Sequence, residues 1–136
     1  MMRMTFHVAL MLLMAMTLAA PAVAQTAPPA PASPYSQQLT QLSTVLGGAH
    51  YLRILCQGRA DQRWRDYMKN VINHEPNYRN QLIEGFNRGY REQEARYPAC
   101  DTTATASEAE LRAQGLRIAN GLSVRRAAAP EAPHDH

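Results

Sequence analysis

Between Gly48 and Cys56 the chain reads GAHYLRILC, placing a histidine, a tyrosine, an arginine and a cysteine within nine residues. A cysteine near a histidine is the raw material of a nucleophilic thiolate, provided an imidazole or another cation holds the thiol pKa down. The spacing argues against that use. At about 100° per residue, His50 and Cys56 stand roughly 120° apart around a helix and cannot face each other. Cys56 instead shares a face with Leu52 and Ala49, and Arg53 is the one local cation that would favour a thiolate. Glu84 beside Gly85 and Glu75 before Pro76 have the chemistry of a general acid, a task that needs burial or a charge partner and a second group in reach. The spacing offers ion pairs instead. Glu84 precedes Arg88 by four, as Glu92 does Arg96, Glu108 Arg112 and Asp61 Arg65, which is the pattern of solvated helix-face pairs. The sequence contains no phosphate-binding glycine loop, no H-E-x-x-H and no G-x-S-x-G. A non-enzymatic protein is therefore expected, with an envelope hydrolase or thiol-redox enzyme as the alternative.

The two cysteines acquire another meaning from the N-terminus. Arg3 supplies a short positive region, Val8 to Leu18 is almost wholly apolar, and Ala22-Val23-Ala24 is the small-x-small pattern of a signal-peptidase site. The apolar run is about eleven residues, where a membrane-spanning helix needs roughly twenty. Residues 1–24 are thus expected to be a cleaved signal peptide, with export to the periplasm, no transmembrane segment after cleavage, and a mature chain starting at Gln25. In an oxidising compartment, two cysteines without C-x-x-C spacing read as a disulfide between Cys56 and Cys100. They give little to bind zinc. No metal site and no cofactor is expected, and His134 and His136 around Asp135 would touch a metal only weakly.

These residues need elements to position them. QTAPPAPASP, 25–34, reads as a stiff Pro/Ala-rich linker, and 125–136, ending AAAPEAPHDH, as a disordered tail. Residues 35–124 remain for one small helical domain. Ser33 is a helix N-cap with Pro34 in the first turn, and Tyr35, Leu39, Leu42, Leu46, Ala49, Leu52 and Cys56 recur on one face of a long amphipathic helix. A second, shortest helix starts at Asp61, turns Trp64, Met68 and Val71 inward, and stops near His74, because the residue before Pro76 is pushed out of helical geometry. A third carries Tyr78, Leu82, Phe86, Gly89, Gln93 and Tyr97 and ends at Pro98. Ser107 with Glu110 forms a capping box for a fourth, which Thr102 to Thr105 could extend backwards, with Leu111, Ile118 and Leu122 inward. The expected fold is all-α, a small four-helix bundle-like domain braced by one disulfide.

Up-down-up packing makes the first and third helices parallel and brings Cys56 and Cys100 to the same end. Gly47 and Gly48 in the first, and the G-x-x-x-G of Gly85 and Gly89 in the third, each cost about 1 kcal/mol against alanine in a helix and mark where backbones approach. The two helices are expected to touch there. His50, Tyr51, Asn87, Arg88 and Tyr90 are the polar-aromatic set beside that contact, and the first place to look for a recognition patch.

HYLRILC at 50–56, RWRDYM at 63–68, FNRGYR at 86–91 and Cys100 together resemble an uncharacterised family of small exported alphaproteobacterial proteins, known as a domain of unknown function. The resemblance covers Pro34 to Val124. It implies export and a helical domain, and carries no activity, cofactor or partner.

Beyond the signal region the chain has twelve arginines and one lysine, and arginine is the better reader of carboxylates and phosphates. Arg53, Arg59, Arg63, Arg79, Arg91, Arg125 and Arg126 are not used by the pairs above. The net charge is nevertheless only +3, falling to +2 without Arg3, so no nucleic-acid partner is expected. The functional expectation is a periplasmic interaction or binding module of the cell envelope, whose partner is an envelope protein or a small ligand.

Overall fold

The computed structural model describes residues 31–128, and the expected signal peptide, most of the linker and the histidine tail lie outside them. Four helices make up the fold: α1 (Pro34–Gln57), α2 (Arg63–His74), α3 (Arg79–Arg96) and α4 (Thr102–Ala128), with one 3-10 turn at Pro76–Tyr78. No described residue lies in a strand. No helix among the described residues is long and apolar enough to cross a membrane.

The start and end of α1 follow from local chemistry. The Ser33 hydroxyl accepts from the Ser36 amide at 3.1 Å, Pro34 occupies the first turn, and Gly58 stops the helix at φ +94°, its amide donating to Ile54 O at 3.0 Å. A positive φ of that size suits glycine because no Cβ is there to clash. Inside these limits α1 departs from the expected one-sided helix. Every residue from Val45 to Leu52 is buried, Gly47, Gly48 and His50 included. The reason is topological: α2, α3 and α4 all pack chiefly on α1 and little on one another, so α1 keeps almost no solvent face.

Helices α1 and α3 run parallel, with contacts advancing together along both. Gln81 bonds Thr40, the buried Ser43 hydroxyl donates to Leu82 O, and Arg88 donates to Thr44 Oγ1 at 2.8 Å. At the glycines the backbones meet directly. A Cβ on Gly47 would collide with the Phe86 carbonyl, one on Gly89 with the Thr44 carbonyl, and one on Gly85 would come within 2.8 Å of Ser43 Oγ. Gly48 faces the Gln93 side chain and Leu111 of α4. The end of this pair is closed by the Cys56–Cys100 disulfide, with Cα atoms 5.1 Å apart.

Leu39, Leu42, Leu46, Met68, Leu82 and Leu122 form the main core, and Tyr51, Leu52 and Ala104 a second one near the disulfide. Helix α4 takes the earlier of the two starts its sequence allows, at Thr102, and runs beyond Val124 to Ala128. Asp101 caps it, accepting from the Ala104 amide at 2.7 Å. Ser107 is therefore inside the helix, and its hydroxyl bonds the Tyr97 phenol at 2.5 Å instead of capping. At the other end the helix runs through Arg125 and Arg126 to Ala128, where Arg126 pairs with Glu75 at the end of α2.

Substitution separates close approach from helix propensity. Gly89→Ala is expected to lower the unfolding free energy by about 1–3 kcal/mol or more, because two backbones must separate. Gly121→Ala, with open space around its Cβ position, is expected to be neutral or to stabilise by up to about 1 kcal/mol. Urea midpoints at unchanged slope report both. Removing the disulfide, which closes a separation of 44 residues, is expected to cost about 4 kcal/mol on the chain-entropy relation.

Candidate functional site

The polar-aromatic set does not form one patch. His50, on α1, lies under a groove of about 430 Å³ between α2 and α3, and Asn87 and Tyr90 of α3 line the same groove. Tyr51 faces the other side of Tyr90, with the rings edge-to-face at 5.1 Å and its phenol donating to Tyr97 O at 2.6 Å. Arg88 leaves the set altogether, reaching Thr44 across the helix pair. Three of the five residues thus share an opening. The other two hold α3 on α1.

The groove exists because α2 is short and splays from α3. The 3-10 turn at Pro76–Tyr78 joins them at one end, and His50 fills the angle between them. The His50 ring lies 5.6 Å from the Phe86 ring and 6.1 Å from that of Tyr90, and the residue is only 6% exposed. Its Nδ1 is buried without a hydrogen-bond partner. Burial holds the imidazole pKa below its ordinary value, with the Arg65 guanidinium adding to that effect while Asp61 and Asp66 oppose it. A neutral ring must place its single N–H. Leaving the bare lone pair at the sealed Nδ1, and the proton on Nε2, buries no unpaired donor, which is the costlier defect.

The remaining wall was not read as a site from the sequence. Arg65 and Lys69 stand four apart on α2 at the rim, and Met68, Ile72, Ile83 and Phe86 give the walls an apolar surface. The expected partner of Arg65, Asp61, is taken by others: its carboxylate accepts from Arg53 Nε at 2.8 Å and Arg63 Nε at 2.9 Å. Those hydrogen bonds hold the Asp61 carboxyl down to about 2. Arg53 and Arg63 are thus paired, and so is Arg126. The helix-face pairs expected from spacing are absent among the ion pairs of the described residues: Glu108 is buried and accepts from Trp64 Nε1 at 3.2 Å, and Arg88 goes to Thr44.

The residues with potential for acid–base or thiol chemistry are placed elsewhere. Cys56 and Cys100 are bonded to each other, so neither offers a thiolate. Glu84 is exposed on α3. Glu75 accepts from the Tyr35 phenol and from Arg126. That cluster closes one end of a second opening between α2 and α4, of about 600 Å³, which adjoins a third of about 450 Å³ through Leu42, Tyr67 and Ala119. Trp64 and Glu108 bridge the same two helices near the other end.

Residues 34–126 match a family whose description reads "Protein of unknown function (DUF2385)". No curated protein and no solved structure matches the chain.

The two perturbed groups give separate pH windows. The folded pKa of His50 lies below the ordinary 6.5, so between those values the unfolded chain binds more protons. Stability is then expected to fall as pH drops from about 6.5 through the folded pKa, and His50→Phe to flatten that limb. The Asp61 pKa, about 2 against the ordinary 3.8, makes a contribution that is present above 3.8 and lost as pH falls towards 2. Asp61→Asn is expected to reduce this lower limb and, because the Asp61 charge favours the His50 imidazolium, to carry the upper limb to somewhat lower pH. Urea unfolding followed across pH 2–8 reads both.

Proposed function

The chain belongs to that family, and from its own residues we propose that it is an exported, non-enzymatic binding module of the cell envelope that recognises a ligand in the groove between α2 and α3. The observation carrying this reading is His50. A folded domain leaves few buried polar groups unbonded, and here one lies beneath an open groove. With Nδ1 sealed, the ring can gain a hydrogen bond only through Nε2, from a molecule that enters the groove.

Export rests on the N-terminal pattern of Arg3, the apolar run and Ala22-Val23-Ala24. A closed Cys56–Cys100 bond suits an oxidising compartment. A binding role fits the surroundings of the groove, which have apolar walls, a few convergent polar groups and, among the described residues, no carboxylate lining. It also fits the disposition of Cys56 and Glu75, whose reactive atoms are already engaged within the domain.

Two measurements test the parts separately. Intact mass of protein from a periplasmic fraction is expected to give a chain starting at Gln25 that takes alkyl groups only after reduction. A cytoplasmic chain retaining Met1 would defeat the export reading. In cells, a photoreactive residue at Asn87 is expected to yield a reproducible adduct that one at Glu92, exposed on the same helix, does not. Equal labelling at the two positions would remove the groove as the recognition site.

A further inference from the structure

Resting on that reading of the groove, we propose that its ligand is a small amphipathic carboxylic acid, held with its carboxylate between Arg65, Asn87 and the His50 imidazole and its apolar body against Ile83 and Phe86. Every polar group that the groove presents can donate. Arg65 and Lys69 are cations, Asn87 carries an amide NH₂, and Tyr90 a phenolic O–H. No aspartate or glutamate among the described residues lines it. Lys69 is already held by Asp66 at 2.9 Å, which leaves Arg65 as the lining cation without an ion-pair partner among the described residues.

The unpartnered histidine supplies the second, independent observation. With Nδ1 sealed off, the neutral ring completes itself best by donating from Nε2, and a carboxylate oxygen is the acceptor that makes such a bond strongest. A guanidinium adds the planar fork that carboxylates match. A fully hydrated anion such as inorganic phosphate would leave the apolar walls without contact. A purely apolar ligand would bury Asn87 and Arg65 without bonds. An acid with an apolar body meets both requirements.

The experiment uses the disulfide-intact protein from Gln25 and three probes of one shape: 4-phenylbutyrate, its neutral amide and 4-phenylbutylamine. Binding is followed by the NMR signals of the His50 and Tyr90 rings. The carboxylate is expected to shift both, the amide to bind at least about tenfold more weakly, and the amine not to bind, as loss of a charge-assisted hydrogen bond implies. Arg65→Gln is expected to weaken the carboxylate about tenfold or more and to leave the amide unchanged. Arg91→Gln removes the same charge from an exposed position outside the groove and is expected to change little. Asn87→Asp is expected to abolish carboxylate binding; both altered groove residues are exposed, so the fold survives the change.

Equal binding of acid and amide, or an Arg65→Gln protein with wild-type affinity for the acid, overturns the anionic assignment while leaving a groove that binds. Failure of all three probes to move either ring overturns this inference and counts against the groove itself. Displacement of 4-phenylbutyrate by phosphatidylglycerol vesicles, but not by phosphatidylcholine vesicles, overturns the assignment to a free acid and moves the anion to a lipid headgroup.

Discussion

The closest constraint in the molecule is the direct approach of the α1 and α3 backbones. Gly47 and Gly89 sit against carbonyls of the opposite helix, Phe86 and Thr44, where any side chain would force the axes apart. That approach fixes the register of two parallel helices joined only through α2. Once it is set, Ser43 can reach Leu82 O, Gln81 can reach Thr40, and Tyr51 can reach Tyr97 O. Parallel neighbours gain no help from a short connecting turn. The disulfide at their far end supplies the missing connection by tying Cys56 to the segment just beyond α3.

Openness elsewhere follows from the same arrangement. With three helices leaning on one, the outer helices need not meet, and α2, the shortest, meets its neighbours least. A gap opens on each side of it. Towards α3 the gap is floored by His50, and towards α4 by Leu42 and Ala119. Burial of Met68 in the core anchors the middle of α2, and polar contacts from Trp64 and Glu75 to Glu108 and Arg126 secure its two ends to α4. Residues not needed for anchoring, Arg65 and Lys69 among them, are left along the rim facing α3.

How much of this was legible depended on whether the signal was local. Ser33 and Pro34 start α1 by backbone chemistry that needs no partner, and Pro76 and Pro98 bracket α3 in the same way. The cysteines and paired glycines were legible because both carry a cost that only a neighbour justifies. Where two local signals competed, tertiary position decided. Asp101 took the cap from Ser107 because the bond to Cys56 holds Cys100 beside it and the Tyr97 phenol claims the serine hydroxyl. The periodicity of α1 marked one apolar stripe, but glycine, serine and histidine on its other sides are buried by three neighbours rather than by their own hydrophobicity. Charge spacing was the least informative signal. Arg53 and Arg63 converge on Asp61 from different elements, and no i,i+4 rule contains that triangle. Because Arg65 then lost its expected partner, its place on the groove rim was invisible in the sequence.

The two gaps beside α2 share an origin and differ in what their polar groups have left to do. On the α4 side, Tyr35, Glu75 and Arg126 satisfy one another, and Trp64 satisfies Glu108. Charge there is neutralised within the fold, and burial together with the Glu75 carboxylate raises the Tyr35 pKa, keeping that phenol protonated. On the α3 side no such closure occurs. The carboxylate nearest by sequence, Asp66, engages Lys69, and the acceptor that could have served Arg65, Asp61, is saturated by two other arginines. A histidine with a sealed nitrogen, an arginine without a carboxylate partner among the described residues and an exposed amide therefore converge on one apolar-walled opening. Of the two gaps, it is the smaller one towards α3 whose polar groups are left without partners among the described residues, and size alone would have picked the other.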